Sequence, residues 1–269
     1  MRVATFNILH GRSPEDDQVD LDRFVRAVAQ LDADVLALQE VDRNQPRSAG
    51  ADLTALAAET MGATEHLFVA ALHGNPGVWL AADGDEQPDA AAYGVALLSR
   101  HPVTSWQTIR LPAAPVPVPM WFTGSRRPEL VRDEARVAVS ATIESPLGAL
   151  TVVNTHLSFV RPWQRQQVRR LRASLTDVGG PLLLAGDLNM GPSSARRLTG
   201  LRSLASADTF PAASPTEQLD HLLGSEDLLG SVRGSGSRRL DLSDHQALWV
   251  DLALGRPGTR PTWLGPRSR

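Results

Sequence analysis

Residues 149–189 read ALTVVNTHLSFVRPWQRQQVRRLRASLTDVGGPLLLAGDLN, and this stretch decides the fold class. Its first part, Ala149 to His156, is an apolar run rich in Val and Leu, the pattern of a strand. The middle, Pro162 to Val178, places proline in the first turn and Val168, Leu171 and Leu175 at helical spacing. Pro181 to Ala185 is again strand-like. Both apolar runs finish in polar residues: Asn154 and His156 close VVNTH, and Asp187 and Asn189 close LLLAGDLN.

The same alternation extends outward. Strand-like runs cover Arg2 to Leu9, Ala33 to Val41, Tyr93 to Ser99, Arg136 to Ile143 and Gln246 to Leu254, with weaker ones at Glu65 to Leu72, Val103 to Leu111 and Leu219 to Leu223. Helical periodicity marks Leu21 to Leu31, where Leu21, Phe24, Val25, Val28 and Leu31 share a face, and Leu53 to Met61. Many strands with interspersed helices predict a layered α/β domain. No linker-like shift in composition divides the chain, so residues 1–254 are expected to form one domain, with 255–269, rich in Pro, Gly and Arg, as a loosely held tail. Two turn-rich stretches, His73 to Ala92 and Pro112 to Asp133, are long enough to expect a functional role.

Composition narrows the function. With 42% hydrophobic and 21% charged residues the chain has the balance of a globular protein with a sizeable core. All 27 basic residues are arginine, and the net charge of -3 argues against the global basic excess of a non-specific nucleic-acid binder. The absence of cysteine excludes disulfides, thiolate metal sites and cysteine nucleophiles. The first residues, MRVATFNILHG, read as a strand entering a turn rather than a secretion signal, and no apolar segment approaches the roughly 20 residues of a membrane span, so a cytoplasmic location is the expectation.

The polar residues at the strand ends carry the chemistry. Asn7 closes the first run, Gln39 and Glu40 close LALQE, and Asp244 and His245 open the last strand. Singly, each has an ordinary structural explanation as a turn former, strand cap or hydrogen-bonded histidine. Together, at the ends of strands on one sheet edge, they predict a shared crevice. Carboxylates and amide oxygens suit a hard cation, Mg²⁺ or Mn²⁺. Because GxSxG, GxxxxGK[ST] and GxGxxG patterns are all missing, covalent hydrolase, NTPase and dinucleotide readings fall away. Direct attack by water on a phosphoester remains.

The ordered motifs FNILHG, LQEVD, YGVALLSR, NTHLS, GDLN, LDH and SDHQALW, spanning Phe6 to Trp249, resemble the endonuclease/exonuclease/phosphatase superfamily. The resemblance implies a four-layer α/β/β/α sandwich, two mixed sheets packed face to face with helices outside. It also implies an Mg²⁺ or Mn²⁺ site at one edge. By motif, Glu40 is the principal metal ligand, with Asn7 and Asp244 beside it. Asp187 positions or deprotonates the attacking water, while Asn189 and His156 hold the phosphate. His245 faces the phosphate or a second metal, and Asp220 orients it. Two departures stand out: Leu9 where repair nucleases often carry an acid, and Val95 where asparagine often follows the YG pair.

Substrate is set by loops rather than by the shared core. A small or lipid-derived phosphoester is the favoured expectation, a DNA or RNA nuclease the alternative, and a non-catalytic binding scaffold the third reading. Arg161, Arg165, Arg169 and Arg172 form a stripe at helical spacing that would suit a nucleic-acid backbone or a solvated helix face. Arg126, Arg127, Arg132 and Arg136 lie in or beside the proline-rich loop, and Arg136 is the candidate for binding the anionic substrate. Trp121 and Phe122 of the same loop would stack on a base, insert into lipid or pack the loop down.

Overall fold

The computed structural model describes residues 1–82, 88–120 and 127–253; Trp121, Phe122 and Arg126, and the tail expected at 255–269, lie outside the described residues. In chain order the strands are β1 (Arg2–Asn7), β2 (Val35–Arg43), β3 (Glu65–His73), β4 (Leu80–Ala81), β5 (Ala92–Ser99), β6 (Val103–Leu111), β7 (Val118–Met120), β8 (Glu129–Val131), β9 (Arg136–Ser145), β10 (Gly148–His156), β11 (Leu182–Asp187), β12 (Arg202–Ser203), β13 (Asp220–Gly224), β14 (Val232–Arg238) and β15 (Ala247–Leu252). The helices are α1 (Leu21–Leu31), α2 (Leu53–Met61), α3 (Arg161–Ser174) and α4 (Pro192–Thr199). One sheet has seven strands in the order β14-β15-β1-β2-β5-β3-β4, and the other has six, β12-β13-β11-β10-β9-β6.

Strand periodicity sorts the apolar residues into layers. On β2, Val35 and Ala37 face the second sheet, while Leu36 and Leu38 face the helices; β10 divides the same way, with Leu150 and Val152 inward and Val153 outward. The inner set forms the core between the sheets, joined by Val137, Val139, Ala141, Leu183 and Leu222. Outside the first sheet, Phe24, Val28 and Leu31 of α1 and Leu53, Ala57 and Met61 of α2 cover Ala4, Phe6, Leu36 and Leu98. Outside the second, Val168 and Leu171 of α3 and Ala195 of α4 cover Ala138, Leu184 and Leu223. The result is the four-layer α/β/β/α sandwich. Both faces of the central strands are buried, which is why they read as continuous apolar runs. Asp20 and Asp52 cap α1 and α2 by accepting backbone N–H groups of Arg23 and of Thr54 and Ala55. Among the described residues no helix is long and apolar enough to cross a membrane.

Several boundaries differ from the sequence expectation. The first strand stops at Asn7 because Leu9 and His10 turn to φ 46° and 47°. Helix α3 ends at Ser174 rather than Val178, with Leu175 leaving helical geometry before Thr176 and Asp177. The long loops contain β4 and the β7–β8 hairpin. The edge strand β14, VRGSGSR, has no apolar alternation to reveal it; a Cβ on its Gly236 would come within 3.3 Å of the Trp249 ring, so glycine is what lets that indole lie against the strand.

One irregularity matters most. Between Leu38 and Val41 the β2–β5 register slips, and Glu40 takes φ 56°. In a regular strand Glu40 would follow Leu36 and Leu38 toward α1 and α2; the bulge and the left-handed residue turn it away from them. Leu38 and Ala96 form the last regular pair before the slip, and the Asn154 side-chain amide, arriving from the other sheet, donates to both of their carbonyls at 2.8 Å. Asn154 Oδ1 in turn accepts from Gln39 Nε2 at 2.6 Å, and that same nitrogen reaches Thr5 Oγ1 at 3.0 Å. All of these side chains are fully buried. Gln39 and Asn154 therefore lock sheet to sheet rather than face a ligand.

Replacing Asn154 by Ala strands two carbonyls and Gln39 in a dry core, so urea unfolding is expected to show a loss of about 3 kcal/mol. A loss below about 0.5 kcal/mol, the usual size for surface substitutions, would show that the bridge is not holding the bulge.

Candidate active site

The parallel pairs β1–β2 and β10–β11 end on one edge of the sandwich, where the antiparallel β13 and β15 begin. Inward-facing residues at that edge therefore meet: Asn7 from β1, His156 from β10, Asp187 from β11, Asp220 from β13, and Asp244 and His245 before β15. Asp187 sits directly opposite both His156 and Asp220 in the strand register. Gly186 makes this close approach possible, since at φ 138° a Cβ there would lie 1.9 Å from the Thr155 carbonyl oxygen. Among the described residues, five of the nine non-glycine residues with positive φ, Leu9, His10, Glu40, Asn189 and Ser243, lie at or beside this edge, so backbone strain is concentrated at the site.

Asp187 is the hub, only 1% exposed. Its Oδ1 accepts the Asn189 backbone N–H at 2.9 Å, closing the turn that gives Asn189 φ 51°. Its Oδ2 accepts Asn7 Nδ2 at 3.1 Å and lies 3.5 Å from His156 Nε2 and 3.8 Å from His245 Nε2. Burial lifts the carboxyl to about 7, and the neighbouring Asp220 adds to this against the opposing charge of His245 and the two amide donors.

The two histidines are driven apart. Burial alone would depress His245, but Asp220 Oδ2 at 2.8 Å from Nδ1, with Asp187 and Asp244 close by, raises it to about 10. That shift favours the imidazolium form at neutral pH; Nε2 lies 3.8 Å from Asp187 Oδ2, and the ring packs at 5.0 Å against Phe210. His156 goes well below the ordinary imidazole range through burial, the adjacent Arg136 guanidinium and the charge on His245. Arg136 Nη1 is 3.1 Å from His156 Nδ1, and Asn189 Nδ2 is 3.1 Å from Nε2. Donors thus face both ring nitrogens, while a neutral imidazole accepts at only one. The charged guanidinium is the stronger donor, which assigns acceptance to Nδ1 and the proton to Nε2, on the Asp187 side.

Glu40 Oε1 accepts Asn7 Nδ2 at 3.0 Å, and its other oxygen receives no hydrogen bond among the described residues. Burial raises the carboxyl, with the Asn7 amide and Arg136 opposing and Asp244 reinforcing. The Asp244 side chain likewise accepts no hydrogen bond among the described residues. Two neighbouring hard carboxylates short of donors fit a divalent cation. Asn7 presents its nitrogen to Glu40 and Asp187 while its oxygen accepts the Leu9 N–H, so it bridges the two carboxylates first. Asp187, Asp220 and His245 also lie close enough together for a metal. Asp220 and His245 are already joined within this group by the 2.8 Å contact to Nδ1, which a cation bound between them would have to displace.

Arg136 is 7% exposed; its Nη1 is spent on His156 and its Nη2 lies 3.6 Å from Glu134, so it reaches the site through His156. The α3 arginines Arg161, Arg165, Arg169 and Arg172 are all exposed on the outer face of the helix layer. Two positions escaped the sequence reading. Gln164, buried on α3, donates to the carbonyls of Leu188 at 3.0 Å and Asn189 at 2.7 Å and so supports the Asn189 turn; the signal was two glutamines, Gln164 and Gln167, on the buried stripe. Arg47 pairs with the fully buried Asp42 at 2.7 Å and lies over the Trp79 and Tyr93 rings, flanking Glu40; an acid two residues after Glu40 and an arginine five further on was its trace.

The model of the endonuclease/exonuclease/phosphatase family matches residues 4–245, and the chain belongs to that family of phosphoester hydrolases. The sequence matches no curated relative. Among solved structures it is similar to an endonuclease/exonuclease/phosphatase from Beutenbergia cavernae, with 24% identity, a TM-score of 0.66, and coverage of 95% of this chain and 72% of that one. It is also similar to the mannosyl-6-phosphatase of Bacteroides thetaiotaomicron, at 15% identity and a TM-score of 0.62, covering 94% of this chain and 100% of that one. Sphingomyelinase C from Streptomyces griseocarneus follows at 17% identity and 0.59, covering 94% and 99%. At these identities the likeness is one of fold.

The His245–Asp220 pair has a measurable consequence in metal-free protein. A folded pKa raised from 6.5 to about 10 stabilises the fold fully below pH 6.5, and the contribution disappears as pH rises through 10. The melting temperature is therefore expected to fall between pH 7 and 10.5, and Asp220→Asn is expected to flatten that fall. An unchanged slope in the variant would contradict the pairing.

Proposed function

We propose that the protein is a divalent-metal-dependent hydrolase of small or lipid-derived phosphoesters in which Asp187 activates water. The observation that carries this reading is the Asp187 carboxyl, buried, held by Asn7 and Asn189, and brought to about 7, where a general base works best at neutral pH. Glu40 and Asp244 would hold Mg²⁺ or Mn²⁺, with Asn7 oriented between Glu40 and Asp187. When bound, that ion supplies Lewis-acid neutralisation of phosphoryl charge.

This chain's own groups do the rest. Asp187 Oδ2 takes a proton from water as its oxygen bonds to phosphorus and the bond to the leaving oxygen breaks. The His245 imidazolium, held charged by Asp220, directs Nε2–H at the growing negative charge. His156, neutral with its proton on Nε2, is a hydrogen-bond donor and not an acid, because burial and the Arg136 guanidinium oppose a second proton. The chain carries the full set of acidic and basic groups, which speaks against the scaffold reading. The DNA or RNA nuclease reading stays second: the arginine stripe points outward from α3, and the remainder of the chain is acidic enough to leave the net charge at -3.

Hydrolysis of bis(p-nitrophenyl) phosphate, p-nitrophenyl phosphate, plasmid DNA and RNA with Mg²⁺, Mn²⁺ or EDTA tests the reading, with metal-dependent turnover of the small esters expected. Asp187→Asn is expected to lower kcat by about 10³-fold or more with metal affinity retained, whereas Glu40→Gln raises the Mg²⁺ concentration needed for half-maximal rate. Full activity in Asp187→Asn, or turnover indifferent to EDTA, would defeat the proposal. Preferential, salt-sensitive cleavage of DNA or RNA would transfer it to the nuclease reading.

A further inference from the structure

A cavity of about 130 Å³ meets the carboxylate corner at Asp244, which lines it together with Ser243 and an apolar wall of Pro14, Pro211, Ala212, Ala213, Leu240 and Leu242. Its position is fixed by the backbone: Ser243 Oγ donates to the Asn7 carbonyl at 2.6 Å, Ser243 N–H donates to the Arg12 carbonyl at 2.8 Å, and Ala212 N–H donates to the Asp244 carbonyl at 2.6 Å. Three separate segments are thereby tied together around it, and Gln246 Nε2 adds a fourth link to the Ala212 carbonyl at 2.9 Å. The cavity is preformed and shares Asp244 with the site.

Its chemistry is specific. The floor is Ala212, Leu240 and Leu242, all buried. The charged groups lining it are Glu15, Asp241, Asp244 and Arg239, and the one cation is spent on Glu15 at 2.6 Å. Three carboxylates and a paired arginine repel a second anion, so a further phosphate or a nucleic-acid strand is a poor occupant. The volume approaches the roughly 150 Å³ of an engineered apolar cavity that binds benzene.

We infer that this cavity is a substrate subsite for an uncharged, compact apolar substituent of the phosphoester, an aromatic ring or an alkyl group of similar volume. The inference rests on the phosphoesterase reading for the placement of the phosphoryl group beside Asp244. It deepens that reading by selecting small apolar esters over polyanionic ones. A long acyl chain exceeds the cavity.

The test compares phenylphosphonate with methylphosphonate, two non-hydrolysable anions, by calorimetric titration of the Mg²⁺-loaded protein. Phenylphosphonate is expected to bind at least about tenfold more tightly, the gain from burying much of a ring. Ala213→Trp, which fills the cavity from its exposed wall, is expected to shrink that ratio to near one. Equal affinities in the wild type, or a ratio untouched by the variant, would overturn the subsite. Phenol alone, followed through the Leu240 and Leu242 methyl resonances, separates occupancy of the cavity from binding of the phosphoryl group. If neither phosphonate binds but phenol shifts these methyls in the wild type and not in Ala213→Trp, the cavity stands and the phosphoesterase reading fails; no shift from phenol removes the subsite itself.

Discussion

The amide of Asn154, donating to the carbonyls of Leu38 and Ala96 across the sandwich, is the contact on which the site depends. A strand that continued regularly beyond Leu38 would point Glu40 at the apolar faces of α1 and α2. The bulge and the left-handed turn at Glu40 avoid that, but they disturb the ladder just where water cannot compensate. Asn154, Gln39 and Thr5 satisfy the disturbed region with side chains from both sheets. One buried polar cluster thus joins the sheets, holds the bulge and orients a carboxylate, which links the stability of the core to the geometry of the edge.

At that edge, desolvation and charge act together. Burial raises Glu40 and Asp187, and the cationic neighbours oppose this only in part, His245 being held by Asp220 at 2.8 Å and Arg136 lying 3.6 Å from Glu134. A crevice containing Glu40, Asp187, Asp220 and Asp244 but with its cations largely paired is short of positive charge, and this shortage is what a divalent ion would relieve. The histidines illustrate the same economy of design in opposite directions. The same side chain is pushed toward the cation beside a carboxylate and toward the neutral form by burial beside a guanidinium.

Much of this was legible in the sequence, and for identifiable reasons. Buried strands of a double-sided sheet produce long apolar runs, and strand ends at a functional edge interrupt them with Asn7, Glu40, His156, Asp187 and Asp244. Those residues were therefore visible as polar terminators. Gln39 and Asn154 looked the same by that criterion, yet their amides are spent on each other, on Thr5 and on the Leu38 and Ala96 carbonyls, a pairing that only the packing of the two sheets brings about. The bulge at Glu40 left no mark in the residue pattern. Arg136 was readable as a cation near the site, but its engagement with His156 depends on β9 and β10 being neighbours. Edge strand β14 was hidden because Gly234 and Gly236, which accommodate Trp249, erase the alternation a strand would show.

The family makes the chain a phosphoester hydrolase, and the mechanism proposed for it rests on the arrangement around Glu40. The decisive question is where a cation sits, because two clusters compete, the donor-poor pair Glu40 and Asp244 and the hydrogen-bonded trio Asp187, Asp220 and His245. An anomalous difference map from a crystal soaked in Mn²⁺ answers it directly. The expected peak lies against the Glu40 and Asp244 carboxylates with the His245–Asp220 hydrogen bond intact. A peak bound by His245, with that hydrogen bond broken and Glu40 uninvolved, would contradict that placement.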